Sequence, residues 1–222
     1  MKRLPVHETF YTWQGEGCHM GKPAYFIRLF GCPVRCPWCD SAGTWHPDHI
    51  PDVIEKWEIQ ELLHAALKNQ AKRAVVTGGE PCIHDLRDLT KALNENNIQV
   101  HLETSGAFPI EGSFDWVAVS PKVYKDPLLS CLEEAQEFKL IVDTPESIVL
   151  WENKIGHLYS GRPIWLHPEW SLRKDKTILE QINLKVKENN YDYRAGYQLH
   201  KLYGVDEESA VTPSTKISLS TL

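Results

Sequence analysis

Short apolar, β-branched runs alternate along this chain with segments of helical periodicity, and that alternation leaves few folds open. Residues 25–29, 73–77, 99–103, 116–120, 138–142 and 163–166 read as strands. Ile59, Leu62, Leu63, Ala66 and Leu67 recur at helical spacing and predict an amphipathic helix over 58–68; Leu86, Leu89 and Leu93 mark a second. Segments 126–135, 145–157 and 176–190 are predicted helical, the middle one with Pro145 in its tolerated first turn, and 193–199 completes the pattern. The expectation is an α/β domain built on a largely parallel sheet. Polar motifs follow the strands: the cysteine loop after 25–29, Thr77-Gly78-Gly79-Glu80-Pro81, Glu103-Thr104-Ser105-Gly106, Ser120-Pro121-Lys122, and His167-Pro168. In a parallel barrel that edge carries the chemistry.

The 222 residues suit one large domain, with no internal repeat and no linker dividing them. After Gly204 the sequence turns polar and Ser/Thr-rich, so the reading is one domain over 1–205 and a tail over 206–222. Thirty acidic against 24 basic residues give a net charge of -6, the wrong sign for a nucleic-acid binder. Uninterrupted apolar runs such as 148–151 are far shorter than the ~18 residues of a spanning helix. Met1-Lys2-Arg3-Leu4-Pro5, followed by His7 and Glu8, lacks the apolar centre of a signal peptide, which predicts a cytoplasmic protein.

Three of six cysteines fall in Cys32-Pro33-Val34-Arg35-Cys36-Pro37-Trp38-Cys39, while Cys18, Cys82 and Cys131 stand alone and read as small buried apolar residues. A C-x3-C-x2-C spacing is directed at a metal. Three thiolates can hold three irons of a cubane and leave the fourth iron open to a small molecule. Gly78 and Gly79 let backbone approach a ligand closely, Glu80 offers a carboxylate to an amino group, and Trp38 offers a flat face to a base. Together they describe a site for an amino acid joined to a nucleoside. Zinc held by the same cysteines plus His46 is the non-enzymatic alternative.

On these residues the chain resembles the radical SAM superfamily: Cys32, Cys36, Trp38 and Cys39 match its C-x3-C-x-aromatic-C loop, and Gly78, Gly79 and Glu80 its GGE motif. Trp13-Gln14-Gly15-Glu16-Gly17, Phe26-Ile27-Arg28-Leu29 before Gly31-Cys32-Pro33, Val76 to Pro81, Glu103 to Gly106, Ser120-Pro121-Lys122 and Leu199-His200-Lys201 narrow the resemblance. They are similar to the 7-carboxy-7-deazaguanine synthases of queuosine biosynthesis, over residues 5 to 205 or so. An activating enzyme that makes a glycyl radical on a protein partner shares only the cysteine spacing.

The resemblance implies an incomplete (β/α) barrel in a homodimer, a lyase that converts 6-carboxy-5,6,7,8-tetrahydropterin to 7-carboxy-7-deazaguanine with loss of ammonia, and an electron donor such as flavodoxin. It implies a [4Fe-4S] cluster on Cys32, Cys36 and Cys39, SAM as a regenerated cofactor, and Mg2+ on Ser41, where relatives usually have Thr. Trp38, Gly78, Gly79, Glu80, Ser120, Pro121, Lys122 and His167 are the expected SAM contacts; Trp13, Gln14, Gly15, Glu16, Arg28 and Thr77 are those of the pterin. Arg28 has independent sense as a bidentate partner for a carboxylate, and Glu16 as an acceptor at an amino-pyrimidine edge. Two positions depart from the family pattern: His167-Pro168 replaces Gln-Pro, and Asp206 stands where short relatives end. Taken singly, Gly78-Gly79 reads as a turn, Arg28 as a surface ion pair, Glu103 as a strand-end cap and Ser120 as a turn residue. The remaining histidines, His84, His101 and His200 among them, read as structural.

Overall fold

All six expected strands form, and three more join them in one nine-stranded sheet. The computed structural model describes residues 2–204 apart from 160 and 189, so the tail expected over 206–222, with Asp206, lies outside the described residues. In chain order the strands are β1 (Arg3–Trp13), β2 (Pro23–Leu29), β3 (Glu55–Glu58), β4 (Arg73–Gly78), β5 (Gln99–Thr104), β6 (Trp116–Val119), β7 (Glu137–Val142), β8 (Ile164–Pro168) and β9 (Tyr193–Ala195). The helices are α1 (Ile59–Lys68), α2 (Arg87–Glu95), α3 (Leu129–Glu134), α4 (Ser147–Ile155), α5 (Lys176–Lys187) and α6 (Leu199–Leu202).

Across the sheet the order is β3-β1-β2-β4-β5-β6-β7-β8-β9. From β2 to β9 every neighbouring pair is parallel, whereas β1 pairs antiparallel with both β2 and β3. With β3 and β9 at the two edges the barrel stays open, as expected from the resemblance.

Strand alternation separates core from site. On β7, Phe138, Leu140 and Val142 are fully buried in the main core with Leu62, Leu89, Ile148 and Ile178 of the helices. Lys139 and Ile141, offset by one residue, face a cavity on the other side of the sheet. The same split on β5 buries Val100 and Leu102 under the helices and turns Glu103 to the cavity.

Four points differ from the sequence reading. Strand β1 went unread because its register shifts between Val6 and Glu8, breaking the alternation that buried Leu4 and Val6 begin. Helix α3 is shorter than 126–135: Pro127 disfavours helical dihedrals at Asp126, and Leu128 is extended, its amide donating to Gly106 O at 2.8 Å. Helix α4 starts at Ser147, two residues after Pro145, because the Ser147 amide closes a turn onto Thr144 O at 3.2 Å. Strand β8 also runs through Pro168, so His167 lies inside the strand and not beyond its end.

Candidate active site

A cavity of about 600 Å³ opens at the carboxyl ends of the parallel strands. Cys32, Cys36 and Cys39, from the loop after β2, line it with Trp38 and Ser41. The segment leaving β4 presses against this loop: the amides of Gly79 and Glu80 donate to Leu29 O at 3.1 Å and Gly31 O at 2.9 Å. A Cβ on Gly79 would come within 2.5 Å of Gly31 O and 2.6 Å of the Cys32 Cβ, so this backbone seats the cysteine loop only as glycine.

Burial pushes the Cys36 thiol up to about 11, against the pull of Lys122, with Cys39 and Cys32 adding to the rise. Cys32 is likewise raised by burial, opposed by the Arg35 and Val34 amides. Metal binding would displace those protons. The donor set fits a cubane cluster with one iron free: three thiols face one cavity, while Cys82 and Cys131 are buried elsewhere and Cys18 sits beside Glu137. The zinc alternative loses its fourth ligand, since His46 packs between Trp45 and His49, at 5.2 and 5.0 Å between ring centroids, and does not line the cavity.

Trp38 Nε1 donates to Asp143 Oδ2 at 3.1 Å, which orients the indole, and Lys122 Nζ lies 5.8 Å from its centroid. Lys122 also donates to Ser120 O at 2.6 Å. Pro121 lines an adjoining cavity of about 230 Å³ that shares Trp38, Lys122 and Ile141 with the larger one. Glu80 is 1% exposed, and its oxygens accept from Cys82 N at 3.1 Å, Thr104 Oγ1 at 2.6 Å and Ser105 N at 2.8 Å. Its carboxylate thus ties the ends of β4 and β5 together. His167, expected to contact SAM, is fully buried beside Gly196, and Pro168 is the residue of that pair that lines the cavity.

Trp13, Gln14, Gly15 and Glu16, in the hairpin leaving β1, line the opposite wall with Arg28 and Thr77. Register pairs Arg28 with Thr77 across β2 and β4. Arg28 Nε donates to Glu8 Oε1 at 2.7 Å and Nη1 to Ser41 Oγ at 3.0 Å. The sequence reading missed part of this floor. Lys139 Nζ lies 3.0 Å from Glu16 Oε2 and also pairs with Glu103, while Gln14 donates to Glu103 at 2.9 Å and Gln198 to Glu16 at 3.0 Å. Burial works to raise Glu16, yet Lys139, then His167 and His200, outweigh it and hold its carboxyl well below the usual range. Glu103 is raised by burial, against the same lysine. Lys139 was legible only as one polar residue in the apolar strand EFKLIV. Gln198 also donates to Asp40 Oδ2 at 2.8 Å, and Lys201 pairs with that oxygen at 3.2 Å, closing the segment before α6 over the cysteine loop.

An open α/β sheet whose C-x3-C-x2-C loop is seated on a Gly-Gly strand end defines a radical SAM enzyme. 7-Carboxy-7-deazaguanine synthases of Synechocystis sp. and Flavobacterium psychrophilum are each 39% identical to this chain, over 90% and 91% of it and 93% and 92% of their own lengths. The Escherichia coli synthase is 34% identical over 91% of this chain and 99% of its own, and the crystal structure of QueE from Escherichia coli superposes with a TM-score of 0.76 at 33% identity, covering 89% of this chain and 95% of that one. The chain belongs to the family of 7-carboxy-7-deazaguanine synthases. It is accordingly a lyase of the radical SAM superfamily, a class that implies a [4Fe-4S] cluster and SAM. No family model matches the chain. No helix among the described residues is long and apolar enough to cross a membrane.

Proposed function

We propose that this chain converts 6-carboxy-5,6,7,8-tetrahydropterin to 7-carboxy-7-deazaguanine with loss of ammonia, the product for which its relatives are named. One observation carries the reading: Arg28, Glu16 and the three cysteines line a single cavity. Cys32, Cys36 and Cys39 hold the cluster, and Trp38, Gly78, Gly79, Ser120, Pro121 and Lys122 cradle SAM. When bound, the cluster and SAM would supply the radical chemistry of hydrogen abstraction at the substrate. Glu80 serves the SAM pocket through Thr104 and Ser105, which occupy its oxygens.

Trp13, Gln14, Gly15 and Thr77 contact the pterin, and Glu16, kept ionised by Lys139, accepts from its amino-pyrimidine edge. The N–H donors of Arg28 beyond those given to Glu8 and Ser41 take the substrate carboxylate. Ser41 supplies a hard hydroxyl oxygen for Mg2+ beside that carboxylate. A homodimer in the cytoplasm, reduced by a flavodoxin-like donor, and a single catalytic domain over 1–205 with a tail over 206–222 complete the reading.

The test is to incubate anaerobically reconstituted protein with SAM, a reductant, Mg2+ and the carboxy-tetrahydropterin. The deazapurine is expected by mass from the wild type and not from Cys36→Ala; a wild type that cleaves SAM but leaves the pterin intact would remove the reading.

A further inference from the structure

Lys139 is 6% exposed, and its presence in a strand whose alternate residues fill the core needs a reason. A buried ammonium costs several kcal/mol unless paired, and two carboxylates within reach of one ammonium leave the group with a charge of -1. Hydrophobic residues would build this region more cheaply, so the triad of Glu16, Lys139 and Glu103 calls for a role in binding.

Its construction supplies one. The three residues come from the hairpin after β1, from β7 and from β5, and all three line the cavity. β6 lies between β5 and β7 and sets Ala118 directly beside Glu103, so only a methyl group stands where Lys139 crosses to reach Glu103. Each carboxylate has one oxygen on the ammonium and the other on a glutamine amide, Gln198 for Glu16 and Gln14 for Glu103. Every carboxylate oxygen has room for a second donor, so the triad presents fixed acceptors to the cavity. Arg28 sits on β2, two strands from Glu103 on β5, a separation of roughly 10 Å at ordinary strand spacing. That distance is comparable with the long axis of a bicyclic pterin bearing a carboxylate at one end and an amino group at the other.

We propose that Lys139 is a positioning residue for substrate recognition, bridging Glu16 and Glu103 so that their carboxylates together accept from the 2-amino group and adjacent ring N–H of the pterin. The inference rests on the pterin reading given above and deepens it. A negative floor at this end and a guanidinium at the other also fix which way round the substrate lies, because the reverse orientation sets carboxylate against carboxylate.

The test compares binding of the carboxy-tetrahydropterin and of an analogue lacking the 2-amino group, using SAM-loaded holoenzyme without reductant. The wild type is expected to prefer the full substrate by about 10- to 100-fold, as for hydrogen bonds to charged groups. Lys139→Arg keeps the buried charge but spreads it over a planar fork that sets the carboxylates at a different spacing. Its preference is expected to fall to less than about threefold, with iron content and SAM affinity unchanged, and Lys139→Gln is expected to behave alike when it retains iron. A lysine that served only as a counter-ion would leave the preference of the Arg variant at the wild-type value, and that result overturns the inference, whatever Lys139→Gln does. A wild type that binds the pterin but not in preference to the analogue overturns it too, while the pterin reading stands. A wild type that binds neither compound removes both.

Discussion

Arg28 Nη1 lies 3.0 Å from Ser41 Oγ, so the guanidinium near the carboxyl end of β2 is braced by the residue two places after the last cysteine. The Glu8 carboxylate holds the same guanidinium from β1 at 2.7 Å. One side chain therefore joins the hairpin wall of the cavity to the cysteine wall.

Removing the guanidinium should separate pterin from SAM binding. Arg28→Ala is expected to weaken pterin binding by about 10- to 100-fold, the range for a charge-assisted hydrogen bond, and to leave SAM affinity within a factor of about three. Anaerobic calorimetry with each ligand measures both. Equal pterin affinity in the two proteins would take the carboxylate away from Arg28.

Ser41 is expected to act through its hydroxyl alone. Ser41→Thr keeps that oxygen and should retain activity at the same Mg2+ requirement, whereas Ser41→Ala should raise the Mg2+ concentration for half-maximal turnover by about tenfold. A titration of turnover against Mg2+ decides it, and an Ala variant with the wild-type requirement would put the cation elsewhere.

Gly79 can be distinguished from a glycine needed for its dihedral angles. An added Cβ at Gly79 meets Gly31 O at 2.5 Å, a backbone atom that cannot yield cheaply, whereas Gly21 has a positive φ of 79° and nothing within 4 Å of an added Cβ. Gly79→Ala should therefore lower bound iron by more than half, while Gly21→Ala costs about 1 kcal/mol of stability and keeps its iron. Iron analysis of the two variants after identical reconstitution tests the difference.

The cysteine loop, the glycine pair and Arg28 were readable because each depends on local sequence: a spacing, a missing Cβ, a fixed position in a strand. What the chain does not announce is contact made over long separations. Lys139 meets Glu16 across 123 positions, and Gln198 meets Glu16 across 182. The strand 138–142 was legible from its apolar residues, but the destination of its lysine depended on the order of the sheet. Strand β1 was hidden for a local reason, the register shift at Val6/Glu8, and the burial of His167 was hidden because β8 continues through Pro168.

Two buried histidines are expected to make stability fall in acid. Burial pushes His167 down to about 4, with Lys139 and His200 lowering it and Glu16 and Glu137 opposing, and both ring nitrogens are buried without a hydrogen-bond partner. Burial likewise lowers His101 to about 3, helped by His19, Arg73 and Lys22, and its Nε2 accepts from Arg73 Nε at 3.1 Å, which requires that nitrogen to be unprotonated. The unfolded chain protonates both near pH 6.5, so between that pH and about 4 it binds more protons than the folded chain, and unfolding free energy drops as the pH is lowered through this window. The loss is on the order of 2 kcal/mol per histidine by pH 4.5 and levels off once the folded rings also titrate. His167→Leu removes one titrating group at similar volume and should give a shallower decline between pH 6.5 and 4.5 than the wild type. Urea unfolding at a series of pH values, followed on anaerobic protein, measures the two slopes, and equal slopes would mean that His167 is already protonated in the folded chain.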